Sequence, residues 1–321
     1  MWVKAVLSLR LFTQFFKLRI FKNKNLLESN GILVSDKFDS VTKKVINFYN
    51  NSPFPNYDDD DNKSSMLAKG DKSYLKSLKK LLGFNKKILE VGCGTGQYSN
   101  YFAIGTNNRI FALDPTYNSL KLAKNFSDKN NIKNVKYING SIFEDLFEKE
   151  TFDLVFCSGV LHHTMNTYLG FVKCAELVKK NGYIVIGLYN SYSRFSCNKI
   201  LYKIFGKKAL FYFDPILRDK KTSNASINAW IKDQYEHPVE RSHSVHELLG
   251  WFKKHNIEPV SAIPNINSVD LNKINEQIDK KNLYKAKSKL NIILSQIKMN
   301  FNLLGKDGSL FCILGKKIWI L

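Results

Sequence analysis

The chain has 321 residues, 44% hydrophobic and 13% aromatic. That is ordinary globular usage with enough apolar material for a sizeable core, and it excludes collagen-like, coiled-coil and disordered chains. Lys and Arg total 49 against 28 acids, a net charge of +21, which raises a nucleic-acid or anionic-membrane partner. Only six are Arg (Arg10, Arg19, Arg109, Arg194, Arg218, Arg241). Arg is the residue suited to bidentate phosphate contacts, so the excess reads first as compositional drift toward Lys.

Residues 1–24 (MWVKAVLSLRLFTQFFKLRIFKNK) are apolar and basic. Lys4, Arg10, Lys17 and Arg19 leave no uninterrupted apolar run near the ~20 residues a membrane span needs. Arg10 also interrupts any signal-peptide core, and no small-residue cleavage site follows. A helix packed on the body is the simpler expectation, and a peripheral membrane helix is the alternative. Five cysteines without CxxC spacing give neither a disulfide framework nor a metal site. The expected setting is a reducing cytoplasm, with contact at the inner membrane surface through residues 1–24 left open.

Residues 37–51 (KFDSVTKKVINFYNN) predict a helix that stops before Pro53. SPFPNYDDDDN (52–62) is a turn-rich loop, because each proline biases the residue before it away from helix. Its acid run, Asp58 to Asp61, reads as a solvated face. Tyr74, Leu75, Leu78, Leu81 and Leu82 predict a helix over 71–83.

From residue 86 short, nearly continuous apolar runs alternate with helical stretches: 86–93, 109–114, 135–139, 152–158 and 183–189. Such runs mark strands buried on both faces, and strand–helix alternation implies right-handed crossovers in a doubly wound α/β sheet. Residues 257–263 and 309–317 are two more strands. Between them Leu283, Ala286, Leu290, Ile293, Ile297, Phe301 and Leu304 recur at helical spacing, with the lysines off that stripe.

The main chemical signal is ILEVGCGTGQYSNYFA (88–103). A strand ends in Gly92-Cys93-Gly94-Thr95-Gly96 and a helix opens directly after it. Glycines allow a tight turn and a ligand lying against the backbone, and the amides of the helix start face that ligand. The next strand ends at Asp114, 18 residues after Gly96, where a carboxylate can accept both ribose hydroxyls of a nucleoside. Dinucleotide enzymes want G-x-G-x-x-G, whose third glycine would fall on Gln97.

The G-x-G-x-G spacing, with Glu90 two residues ahead, instead resembles motif I of class I S-adenosylmethionine-dependent methyltransferases. Glu90, the loop, Asp114 and FDLVFCSGVLHH (152–163) occur in that family's order over about residues 86–190. The loop 48–57, the segment 233–243 and the last strand together resemble one bacterial subgroup of it. The resemblance implies a Rossmann-like, seven-stranded, mostly parallel sheet with an antiparallel last strand. An N-terminal helical extension or lid (1–69) would precede the cofactor core (70–190). A substrate-side cap and the last two strands of the same sheet would follow (191–321).

It also implies the cofactor, S-adenosylmethionine. Gly92, Gly94, Thr95 and Gly96 would line it, and Glu90 would support its amino-acid end. Asp114 would bind the ribose, Pro115 and Thr116 would flank sugar and adenine, and Ser141 and Ile142 would border the adenine. The backbone near Ser158 and Gly159 would meet the methionine part. Many relatives carry an acid where this chain has Ser141.

Methyl transfer needs a general base only when the acceptor must lose a proton. Asp233, Tyr235 and His237 cluster with Glu240 and His243 ahead of the helix that carries Trp251, and a histidine beside a carboxylate is a plausible base. A polar loop capping that helix is the structural alternative, with Ser242 or Ser244 as N-cap and Glu247 completing a capping box. His162 and His163 follow the fourth strand, where the sheet's carboxyl edge opens to ligand. Tyr49, Asn50 or Tyr57 would contribute from the lid. The expected acceptor is a small molecule or lipid-like compound, since the cap is rich in aromatic residues. An RNA methyltransferase and a non-enzymatic cofactor-binding protein are the competing readings; no N-P-P-Y-type signature follows the fourth strand.

Overall fold

The computed structural model describes residues 20–22, 26–35, 37–193, 202–206, 217, 224–279, 285–299 and 309–318. Most of the N-terminal segment expected to pack on the body or, alternatively, to lie at a membrane surface, residues 1–19 and 23–24, lies outside them, as does Cys197. The elements are β1 Leu27–Ser29, β2 Ile32–Val34, α1 Ser40–Asn50, α2 Lys63–Asp71, α3 Leu75–Leu82, β3 Lys87–Val91, α4 Gln97–Ala103, β4 Arg109–Asp114, α5 Tyr117–Lys129 and β5 Val135–Asn139. There follow β6 Phe152–Ser158, α6 Thr167–Leu177, β7 Val178–Tyr189, α7 Asn224–Ile231, α8 Val245–Lys254, β8 Ile257–Ile263, α9 Ile274–Gln277, α10 Lys289–Lys298 and β9 Leu310–Lys317.

All described strands join one sheet in the order β1-β2-β5-β4-β3-β6-β7-β9-β8. The central strands are parallel, and β9 runs antiparallel to both β7 and β8. The seven expected strands are all present, but the sheet has nine. The additional pair is a hairpin over residues 27–34 whose second strand adds parallel to β5. At three residues each, these strands are too short to show an alternation. Their turn, Asn30-Gly31 with both residues at positive φ, is the sequence signal for a tight hairpin. The N-terminal extension is therefore not purely helical.

The strands are apolar on both sides because helices cover both sides. Leu89, Val91, Val155 and Cys157 pack with Phe171, Cys174, Leu248 and Phe252 of α6 and α8. Ile88, Leu154 and Phe156 pack with α3 and α4 on the other side. Ile20 and Phe21 are buried in the first of these layers, with Phe21 5.3 Å from the Phe147 ring. The helix expected over 71–83 begins only at Leu75, after α2 has ended at Asp71. Strand order reverses beside β3, so a crevice opens at the carboxyl ends of β3, β4 and β6. Among the described residues no helix is long and apolar enough to cross a membrane.

Candidate functional site

The crevice is a cavity of about 390 Å³. Ten of the twelve residues expected at the cofactor form its wall: Glu90, Gly92, Gly94, Asp114, Pro115, Thr116, Ser141, Ile142, Ser158 and Gly159. Thr95 and Gly96 do not. Thr95 is fully buried behind the loop, its hydroxyl bonded to the Pro55 carbonyl. Gly96 opens α4, and a Cβ there would meet Ala123 of α5 at 2.8 Å.

The loop has no room for side chains at its bends. A Cβ on Gly92 would lie 2.3 Å from the Val160 side chain, and one on Gly94 would lie 2.4 Å from the Phe54 carbonyl oxygen. Both glycines are also at positive φ. Phe54 belongs to a strap, residues 52–57, that lies directly on the loop. Tyr57 donates its hydroxyl to the Thr95 carbonyl at 2.7 Å, and Gln97 donates its amide to the Asn56 carbonyl at 3.1 Å.

Asp114 receives the Gly94 amide at 2.8 Å on one oxygen and the Thr116 amide at 2.7 Å on the other. Burial nevertheless pushes its carboxyl up to about 6. Glu90 accepts the Ser99 hydroxyl, and burial pushes it up to about 8. Glu144, three residues after Ser141, accepts the Ser141 backbone amide at 3.0 Å but does not stand on the wall.

The cap reaches the same cavity. Tyr49 of α1, Trp230 of α7, Asp233 and Gln234 stand on its wall with Thr42, Val45 and Phe54. Asp233, 5% exposed, accepts the Tyr49 hydroxyl at 2.5 Å and the Gln234 side-chain amide at 2.8 Å. Gln234 donates onward to the Tyr189 hydroxyl at 3.0 Å. Burial first, then the Asp233 charge, raise the Tyr49 phenol well above its ordinary value.

Of the expected bases, Asp233 and His163 stand on the wall, whereas His162, Tyr235 and His237 do not. His162 is fully buried, its ring 3.9 Å from that of Tyr189. His237 stacks on His163 at 3.6 Å, and Nδ1 of each ring approaches the Val239 carbonyl, at 2.7 and 2.6 Å. Tyr235 faces Tyr202 and a separate small apolar cluster. His243 bonds Glu247 at 3.0 Å. Ser244 is the N-cap of α8, and since the Glu247 side chain is turned to His243, no capping box forms. Of the expected lid residues, Tyr49 is on the wall, Tyr57 sits behind the loop, and Asn50 is exposed. Phe54, Trp230 and Gln234 were not expected; a sequence offers no period from which such strap and cap positions could be found.

The wall's charge discriminates between ligands. Three acidic side chains face the cavity (Glu90, Asp114, Asp233), and among the described wall residues there is no Lys or Arg. A pyrophosphate-bearing dinucleotide would find no cation there. A sulfonium with an adjacent ammonium and a ribose fits the donor set, the glycine bends and the carboxylate at the end of β4.

Comparison with known proteins agrees. The family described as a methyltransferase domain matches residues 83–256, more than half of the chain. The ubiquinone biosynthesis O-methyltransferase of Glaesserella parasuis serovar 5 is 29% identical over 113 residues, 33% of this chain and 47% of that protein. That of Rickettsia bellii is 29% identical over 104 residues, 32% and 42% of the two chains. The chain thus matches about half the length of these curated relatives. Among solved structures, geranyl diphosphate C-methyltransferase from Streptomyces coelicolor A3(2) covers 88% of this chain and 100% of its own at 12% identity, with a TM-score of 0.48.

Proposed function

The chain belongs to the methyltransferase-domain family, and from that premise we propose that it methylates a small or lipid-like acceptor that is not itself a phosphate. S-adenosylmethionine is the methyl donor. It supplies a methyl group already activated on a sulfonium, so the protein's task is positioning and exclusion of water. The observation that carries the acceptor reading is that the described wall residues include three acidic side chains and no Lys or Arg, in a chain whose net charge is +21.

In this reading the Gly92–Gly94 bend and Glu90 hold the amino-acid end of the donor, and Asp114 holds the ribose through lone pairs that its two amide bonds leave over. Phe54, Trp230, Val45 and Tyr49 enclose an apolar or ring-bearing acceptor. Asp233 receives the proton if that acceptor is a hydroxyl or amine. Tyr49 and Gln234 hold its two oxygens still. His163, pinned by Val239 and His237, shapes the floor.

The test is incubation with methyl-labelled donor and cell extract separated into metabolite, lipid, RNA and protein. Label is expected in the metabolite or lipid fraction. Label confined to nuclease-sensitive RNA, or to protein, overturns the acceptor assignment. Tight donor binding with no labelled fraction favours a cofactor-binding protein without catalysis.

A further inference from the structure

The periodicity of residues 283–304 sets Leu290, Ile293 and Ile297 on one stripe, expected to face the core. The helix is turned the other way. α10 buries Ile292 and Gln296, with Met299 following. The polar residue fixes that orientation. The Gln296 side-chain oxygen accepts the buried Val245 amide at the start of α8 at 2.9 Å, and its carbonyl accepts the Asn190 side-chain amide at 3.0 Å. Those groups have no water to turn to, so satisfying them outweighs hiding a leucine.

The consequence is an outward stripe of Leu290 (65% exposed), Leu294 (45%) and Ile297 (39%), at i, i+4 and i+7. Lys285, Lys287, Lys289 and Lys298 are exposed around it, and residues 285–299 contain no acid. The segment's own charge is therefore uniformly positive, unlike that of the chain as a whole. The stripe carries no aromatic anchor of the kind that dominates protein interfaces. Aliphatic side chains rimmed by flexible lysines are what an interfacial helix presents to a bilayer.

We propose that α10 docks the protein on an anionic lipid bilayer, with Leu290, Leu294 and Ile297 at the acyl boundary and the lysine ammoniums at the phosphate level. The position suits the site. Asn190, which bonds α10, directly follows Tyr189 of the cavity wall, so docking holds the cavity close to the bilayer. The docking stands whatever the acceptor proves to be.

The experiment is co-sedimentation of the full chain with vesicles of phosphatidylcholine alone and with about 30% phosphatidylglycerol. The protein is expected to pellet with the second and not the first, and to be released by salt. Leu290→Glu/Leu294→Glu is expected to lower the bound fraction about tenfold, with donor affinity unchanged as proof of folding. Leu27→Glu, at a still more exposed leucine on the first strand of the sheet, is expected to bind as the parent does. No pelleting with anionic vesicles overturns the proposal, as does a double variant that pellets like the parent or a Leu27→Glu variant that does not. Retention on polyglutamate without vesicle binding also overturns it, in favour of an acidic protein. Donor binding and label transfer, measured without vesicles, report separately on the methyltransferase reading.

Discussion

Tyr49 and Asp233 stand 184 positions apart in the chain and share a 2.5 Å hydrogen bond from phenol to carboxylate. It joins α1 to the residues that follow α7, so the N-terminal piece and the cap meet on the wall of the cavity.

Tyr49→Phe keeps the ring and removes that bond. A hydrogen bond to a charged group contributes about 1.5–3 kcal/mol, so a loss of that order is expected in urea unfolding. Turnover is expected to drop while donor affinity, read by calorimetry, stays within about twofold of the parent. A donor affinity that falls with turnover would place Tyr49 at the donor instead.

Asp233→Asn keeps shape and most hydrogen bonding but cannot take a proton. With a hydroxyl acceptor, kcat is expected to fall by about 10²–10⁴, with KM and donor affinity little changed. An unaffected kcat would point to an acceptor with no proton to lose.

Gly94→Ala tests the strap. The new Cβ would overlap the Phe54 carbonyl at 2.4 Å, and the backbone there is at positive φ. The sequence alone suggests that a side chain at this position blocks the cofactor directly; the structure puts the Phe54 backbone in its way first. Displacement of residues 52–57 is expected, seen as faster proteolysis in that segment together with weaker donor binding.

In the proposed reading Asp114 holds the ribose as a carboxylate, and burial has lifted it to about 6. Donor affinity is therefore expected to be steady above that pH and to fall, by up to about tenfold per unit, below it. Asp114→Ala is expected to weaken binding by about 1.5–3 kcal/mol and to abolish that pH dependence. Titration calorimetry from pH 5 to pH 8 reads both.

Burial lifts Glu90 to about 8, well above the ordinary glutamate value. Its folded value lies above the unfolded one, so its stability contribution is intact below about pH 4.5 and is lost as pH rises toward 8. Glu90→Gln is expected to melt with the parent at pH 5 and above it at pH 8, without donor. A parent that is equally stable at both pH values would contradict the burial argument.

The sheet core was legible because parallel strands covered on both sides must be largely apolar, as Leu154–Cys157 are throughout and as Ile88, Leu89 and Val91 are around Glu90. The glycine loop and Asp114 were legible because backbone geometry and a ribose each dictate a residue type at a fixed place. The rest depends on contacts distant in sequence. Asp61, in a run expected to be solvated, is 5% exposed and holds Lys69 at 2.6 Å. His237 reads as a base by its neighbours in sequence, yet its ring is committed to His163 and Val239. The orientation of α10 follows from Gln296, a residue that hydrophobic periodicity assigns no weight.

The strap over the glycine loop is not the end of a free tail. On one side it continues through α1 to β2, which is bonded into the sheet edge at β5. On the other it runs into α2 and α3, whose Met66 and Leu78 are buried in the core. A segment held at both ends cannot drift aside. If donor exchange requires it to lift, its bonds to Thr95 and Gln97 must release together, and residence time, more than affinity, is the quantity such a strap would control.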